Sequence, residues 1–211
     1  MKSKLTTLFS RTTPETYKKG TILVAGDTKP HKAYLLETGA VKMITYTPQG
    51  AQVIQHILVP GSAFPVLTIN PQIHNRFWFE AMTVVKVREV PYAQFTQLVL
   101  ADPDLIKDQF DKLTLALDKY SLRIESLAQS DVRVRILSTL GYLMSHFGTQ
   151  EKDGSMVCSL SITHQELADF IGASRETVSR EWEKLKAQGI VDLRGGQIVL
   201  KDTKYIQRQE G

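Results

Sequence analysis

Hydrophobic and polar positions alternate in short runs over the first hundred residues, and the runs are rich in Val, Ile, Leu, Tyr and Thr. Strands are predicted over residues 21–24, 33–37, 41–47, 52–59, 78–81 and 84–90. Gly20, Gly26, Gly39, Gly50 and Gly61 punctuate them, and Pro48-Gln49-Gly50 reads as a hairpin turn. Short strands with turn glycines between them predict a barrel or jelly roll.

The period changes near residue 104. Ile106, Phe110, Leu113, Leu117, Tyr120, Ile124 and Leu127 follow at alternating steps of four and three, an unbroken heptad stripe on one long helix. Such a stripe is either an intramolecular core face or the seam of a parallel dimer. Leu105, Leu115 and Leu122 lie off it and are expected to pack the same helix against the barrel, so that it is buried on both sides. That arrangement favours the dimer, with Phe110, Leu113, Leu117, Tyr120, Ile124 and Leu127 at the interface.

Ser130-Asp131 reads as a hinge and a fresh N-cap. A second helix is predicted over 132–147, with Val134, Leu137, Leu140, Leu143 and Met144 as its apolar stripe. A polar loop (148–155) and a short strand (156–160) follow. Residues 161–191 then have the layout of a helix-turn-helix. Thr163 caps the first helix, with Glu166 completing a capping box. Leu167, Ala168 and Ile171 form its apolar side, Gly172 supplies the turn and Ser174 caps the second helix. In that second helix Val178, Trp182 and Leu185 make one buried stripe, leaving Arg175, Glu176, Ser179 and Arg180 near the other side. Arginine can pair with guanine, glutamate with cytosine and serine with either, as a helix in the major groove requires. Residues 189–193 and 197–200 flank Arg194-Gly195-Gly196 as a hairpin, the wing of a winged helix. The tail, 201–211, is polar and expected to be loosely held.

Composition narrows this picture. The chain has 211 residues, 42% hydrophobic and 23% charged, as in an ordinary soluble globular protein. No run approaches the roughly 20 apolar residues that cross a bilayer, and the N-terminus lacks a signal-peptide core. A cytoplasmic protein without membrane contact is expected. Cys158 is the single cysteine, expected to be buried. One thiol excludes an intrachain disulfide and an iron–sulfur cluster, which takes about four thiolates. Net charge is +4, yet residues 131–211 hold eleven Lys+Arg and eleven Asp+Glu. DNA affinity would then rest on local clusters such as Arg175, Arg180, Lys184 and Lys186, and on pairing of two chains.

SRETVSR, followed by the spacing from Leu185 to Ile190, resembles the recognition helix of the cyclic-AMP receptor protein and FNR superfamily of bacterial transcription factors. The resemblance implies an α+β fold: an N-terminal cyclic-nucleotide-binding-like β-barrel (1–100), a long dimerisation helix (101–130) and a C-terminal winged helix-turn-helix (131–211). It places base contacts on Arg175, Glu176 and Arg180, with Ser179 as in FNR-like members, and phosphate contacts on Thr163 and Gln165. Ser174 joins the DNA-binding set. His164 stands where some members carry arginine. Double-stranded DNA with palindromic sites, a second copy of the chain and RNA polymerase are the implied partners.

The resemblance also implies a sensor. Cyclic-nucleotide binders carry a Gly-Glu that holds ribose and an Arg-Ser that holds the cyclic phosphate. Here those positions read Pro65-Val66 and Asn75-Arg76. The ribose carboxylate is missing, which disfavours cyclic AMP. Haem is disfavoured too, because His31, His56, His74, His146 and His164 form no telling spacing. Phe64, Asn75, Arg76, Tyr120 and Ser121 are the candidate effector residues, and the effector, if the barrel takes one, is left unidentified. No phosphate loop, metal cluster or paired nucleophile and base marks an enzyme. The alternative reading is a signalling module whose helix-turn-helix meets a protein partner.

Overall fold

The computed structural model describes residues 4–65 and 75–202. Val66, His74 and the tail beyond residue 202 lie outside the described residues. The chain falls into two compact units, divided between Lys119 and Tyr120.

The first unit opens with α1 (Lys4–Ser10) and eight strands. These are β1 (Glu15–Tyr17), β2 (Ile22–Val24), β3 (Lys32–Thr38), β4 (Val41–Tyr46), β5 (Gln52–Leu58), β6 (Ala63–Phe64), β7 (Trp78–Ala81) and β8 (Val85–Pro91). They form two antiparallel four-stranded sheets, ordered β1-β8-β3-β6 and β2-β7-β4-β5. Inward-facing residues such as Ile54 and Ile57 of β5 and Val85 and Val87 of β8 are fully buried. An aromatic ladder ties the sheets together. Phe64 of β6 stacks on Tyr34 of β3 and on Phe79 of β7, each at 5.2 Å between ring centres. Burial pushes the Tyr34 phenol up to about 12, and its hydroxyl donates to the Leu23 carbonyl at 3.0 Å. Lys42 and Glu80 are direct cross-strand partners and form an ion pair of 3.0 Å, with side chains 8% and 21% exposed.

All six strands read from alternation are present within a residue or two. The hairpin at Pro48 closes as expected, with the Thr47 N–H donating to the Ala51 carbonyl at 2.9 Å and Gly50 at φ +80°. Gly26 does more than punctuate. A Cβ there would come within 2.4 Å of the Trp78 indole, which in turn meets Tyr46 edge-on at 5.1 Å.

Two helices close the first unit. These are α2 (Tyr92–Leu100) and the start of α3 (Pro103–Ala128). Phe95 and Val99 of α2, Leu5 and Phe9 of α1, Ala33, Val90 and Leu105 make one buried cluster. Of the three leucines expected to pack α3 against the barrel, Leu105 alone is buried. Leu115 and Leu122 are 62% and 50% exposed, so α3 is not buried on both sides. A stripe in sequence marks a face as apolar but does not say what covers it.

The second unit holds α4 (Val132–Phe147), β9 (Gly148–Gln150), β10 (Met156–Cys158), α5 (His164–Ile171), α6 (Arg175–Ala187), β11 (Val191–Arg194) and β12 (Gln197–Leu200). Asp131 caps α4, accepting from the Arg133 N–H at 2.8 Å. The buried face of α4 centres on Leu140, with Ile136, Leu137, Leu143 and Met144 around it. Val134, expected on that stripe, is 41% exposed. Six residues at 3.6 per turn place it about 120° round from Leu140. The strands form one sheet, ordered β11-β12-β10-β9, and the β11–β12 hairpin is the wing. The polar stretch after α4 contributes β9 and is not loop throughout. Cys158 is fully buried, and burial pushes its thiol up.

Gly26→Ala should lower stability by about 1–3 kcal/mol, because a rigid indole occupies the space a methyl needs. Urea unfolding measures it; an unchanged midpoint would show that the Trp78 ring yields freely.

Candidate nucleic-acid interface

The helix-turn-helix is fixed at both ends of its first helix. At the start of α5, the Thr163 hydroxyl accepts from the Glu166 N–H at 3.1 Å, and the Glu166 carboxylate accepts from the Thr163 N–H at 2.9 Å. This is the capping box read from the sequence. At its other end Gly172 turns left-handed, φ 65° and ψ 48°, where a β-carbon would cost about 1–2 kcal/mol. Ser174 then caps α6, accepting from the Thr177 N–H at 3.2 Å.

Val178, Trp182 and Leu185 are buried, at 1% exposure or less. Trp182 keys α6 into the unit, its indole N–H buried without an acceptor among the described residues. Beside it a shallow apolar groove of about 170 Å³ opens between α5, α6 and the wing, lined by Leu167, Leu193 and Ile198 among others.

The residues read from the sequence as base contacts stand at the first two turns of α6, with Glu176 and Arg180 on roughly the opposite side from the buried stripe. Arg175, Glu176 and Arg180 are exposed, and none of their side chains has a hydrogen bond or ion pair with the described residues. Ser179 is half-buried and is not free: its hydroxyl shares a 2.9 Å hydrogen bond with His164 Nδ1. Thr163 and Gln165 are exposed at the start of α5, and the Gln165 amide donates to Asp169 at 2.7 Å. Ser174 is exposed but committed to its cap. The structure thus brings all seven sequence-read residues to the N-terminal ends of α5 and α6.

Two arginines that sequence reasoning missed close the C-terminal end of α5. Arg123, on the last turns of α3, donates to the Phe170 carbonyl at 2.7 Å, its guanidinium 4.4 Å from the Phe170 ring centre. Arg135 of α4 donates to the Ile171 carbonyl at 3.1 Å. Cations at a helix C-terminus meet its unpaired carbonyls and its negative dipole end. Phe170 also stacks on Tyr142 of α4 at 5.8 Å. Burial lowers the Arg123 pKa, while Tyr120 and Tyr142 act the other way; burial also raises the Tyr120 pKa, with Arg123 opposing. No local pattern announces these contacts, since Arg123 and Phe170 are 47 residues apart.

The candidate effector residues are placed differently. Phe64 is 1% exposed and belongs to the aromatic ladder. The Asn75 amide is engaged on both sides: it donates to the Phe77 carbonyl of its own turn at 2.9 Å and to the distant Ala25 carbonyl at 3.2 Å, and it accepts from the Phe77 N–H. Arg76 is exposed, 6.0 Å from the Phe77 ring centre. Tyr120 and Ser121, half-buried and exposed, lie in the second unit. The sequence from Pro60 to Phe79 carries no carboxylate, and among the described residues the Asn75 side chain is already engaged.

Two family models match the chain. One, the cyclic nucleotide-binding domain, covers residues 14–102, and the other, the Crp-like helix-turn-helix domain, covers 134–208. The chain belongs to the Crp–Fnr family of transcription regulators. Its second unit carries that family's DNA-binding helix-turn-helix. Among relatives, it is 28% identical over 187 residues to the cAMP-activated global transcriptional regulator CRP of Salmonella typhimurium, covering 88% of each chain. It is 29% identical over 198 residues to the global nitrogen regulator of Synechocystis sp., covering 92% of this chain and 87% of that one. A CRP/FNR-family transcriptional regulator from Thermus thermophilus shares its fold, with a TM-score of 0.75 at 26% identity, over 93% of this chain and 97% of that one. No helix among the described residues is long and apolar enough to cross a membrane.

Arg123→Ala removes a charge-assisted bond and a ring contact, so thermal unfolding should report a loss of about 1–3 kcal/mol. Arg123→Lys should recover less than half of it, because an ammonium cannot lie flat on the Phe170 ring. A wild-type midpoint in the alanine variant would show that the clamp contributes nothing.

Proposed function

We propose that this regulator acts as a homodimer on palindromic promoter sites, inserting the N-terminal end of α6 into successive major grooves about 34 Å apart. The carrying observation is the heptad stripe of α3. Phe110, Leu113, Leu117 and Ile124 are 68%, 51%, 71% and 68% exposed in the single chain, with Leu127 at 39%. Apolar side chains in such a row are stable when a second copy covers them, and a parallel pair brings two reading heads under one two-fold axis. Arg175, Glu176 and Arg180 support the base-reading role by standing exposed and uncommitted. Thr163 and Gln165 take backbone phosphates.

In this reading the barrel is the sensor and α3 carries its state. An effector that binds one arrangement of the paired helices better shifts the population towards it. The Asp131 hinge is one route to α6. Arg123 is a second, because it fastens the last turns of α3 directly to α5. RNA polymerase is the downstream partner. The neutral charge balance of residues 131–211 favours the other reading, a helix-turn-helix serving a protein partner. Selection from a random DNA pool at near-physiological salt separates the two. A palindrome should be enriched; enrichment of nothing, with and without small molecules from a cell extract, would leave the protein-partner reading.

Two substitutions probe the parts. Arg180→Ala should cost about 1–3 kcal/mol of operator binding and relax preference at one base position. Unchanged affinity and preference would remove α6 as the reading element. Leu117→Glu places a charge in the seam and should give monomers with poor operator binding, read by light scattering and band shift. A dimer that survives it would return the stripe to an intramolecular role.

A further inference from the structure

His164 and Ser179 face each other across the turn of the helix-turn-helix. His164 Nδ1 lies 2.9 Å from Ser179 Oγ, and the imidazole packs beside the buried Trp182 ring at 5.4 Å. A serine hydroxyl has one hydrogen and two acceptor lone pairs, and an imidazole nitrogen either donates or accepts according to whether it holds a proton. The two atoms therefore have two arrangements: in one Ser179 can only accept from the groove, and in the other it can donate as well. When Nδ1 is bare, Ser179 donates its hydrogen to it and presents lone pairs outward. When Nδ1 carries a proton, it donates to Ser179 Oγ and frees the serine hydrogen to point outward.

We infer that His164 sets the hydrogen-bond polarity of Ser179 and so decides which base Ser179 selects. With Nδ1 bare, Ser179 accepts from a base amino group, that of cytosine or adenine. With Nδ1 protonated, Ser179 donates to the O6 or N7 of guanine or the O4 of thymine. His164 is thus a positioning residue for specificity, and one chain reads one base step in two ways. The inference rests on the reading of Ser179 as a base contact.

A neutral imidazole carries its one proton on either ring nitrogen and a charged one carries a proton on both, so acid fixes Nδ1 as a donor. Every element packed beside His164 carries charged or titratable groups. On α5 these are Glu166 and Asp169, engaged with Thr163 and Gln165. On α4, which packs on α5, they are Arg133, Arg135 and His146. On α6 they are Arg175, Glu176, Arg180, Glu183 and Lys186, with Glu181 paired to Lys184. On the wing they are Arg194, paired with Glu151, and Asp192, paired with Lys201. Bound DNA adds its phosphates.

The test is selection and competition binding with the full chain at about pH 5.5 and 8, at fixed salt, for the wild type, Ser179→Ala and His164→Phe. Phenylalanine keeps a ring beside Trp182 and removes both nitrogens. Ser179→Ala identifies the base position that Ser179 reads. At that position alone, the wild type should shift about two- to tenfold from cytosine or adenine at high pH towards guanine or thymine at low pH. His164→Phe should bind the operator with a preference there that no longer moves with pH. The inference is overturned if the wild-type preference is the same at both pH values, or if the shift persists in His164→Phe. If Ser179→Ala leaves every position unchanged, the base-contact reading itself fails and takes the inference with it.

Discussion

The burial of Val178, Trp182 and Leu185 is the constraint on which the reading head depends. At 3.6 residues per turn, fixing those three inward leaves Glu176 and Arg180 on roughly the opposite side of α6. The helix has no freedom to present other side chains without exposing a tryptophan. The two ends of α5 serve that placement. The left-handed Gly172 sets the angle between α5 and α6, the capping box holds one end of α5, and two arginines hold the other. An eight-residue helix would be marginal alone, and here both its termini are satisfied.

The clamp also changes how the regulatory element is understood. A hinge at Asp131 suggests that α3 ends and a separate reading domain begins. Instead Tyr120 onward groups with the helix-turn-helix, and Arg123 reaches past the hinge to the carbonyl of Phe170. A rotation of the last turns of α3 therefore bears on α5 directly. Because α5 is capped at both ends, such a motion moves it as one piece in preference to fraying it.

Legibility in the sequence followed the range of the interactions. The capping box, the turn glycine, the α6 stripe and the wing hairpin are set by residues within a few positions of one another, and each stands where the sequence placed it. The barrel strands were readable because alternation is local. Elements without such a signal were not: β1 is largely exposed and does not alternate, β6 is two residues long, and α2 begins at Pro91 without a side-chain cap. Long-range partners were invisible too. Arg123 with Phe170, and His164 with Ser179, are joined by the fold alone. Leu115, Leu122 and Val134 show the converse, apolar residues at plausible spacing that the described residues leave 62%, 50% and 41% exposed. On the effector side, the loss of the ribose carboxylate was legible, whereas the engagement of the Asn75 side chain with Phe77 and the distant Ala25 carbonyl was not.

The wing has its cations already committed. Arg194 is paired with Glu151 at 2.7 Å and Lys201 with Asp192 at 2.9 Å, in a half of the chain that carries no net charge. Exposed pairs of this kind are weak, and each must open before its cation can meet a phosphate, so the wing brings to any polyanion only the attraction left after that exchange.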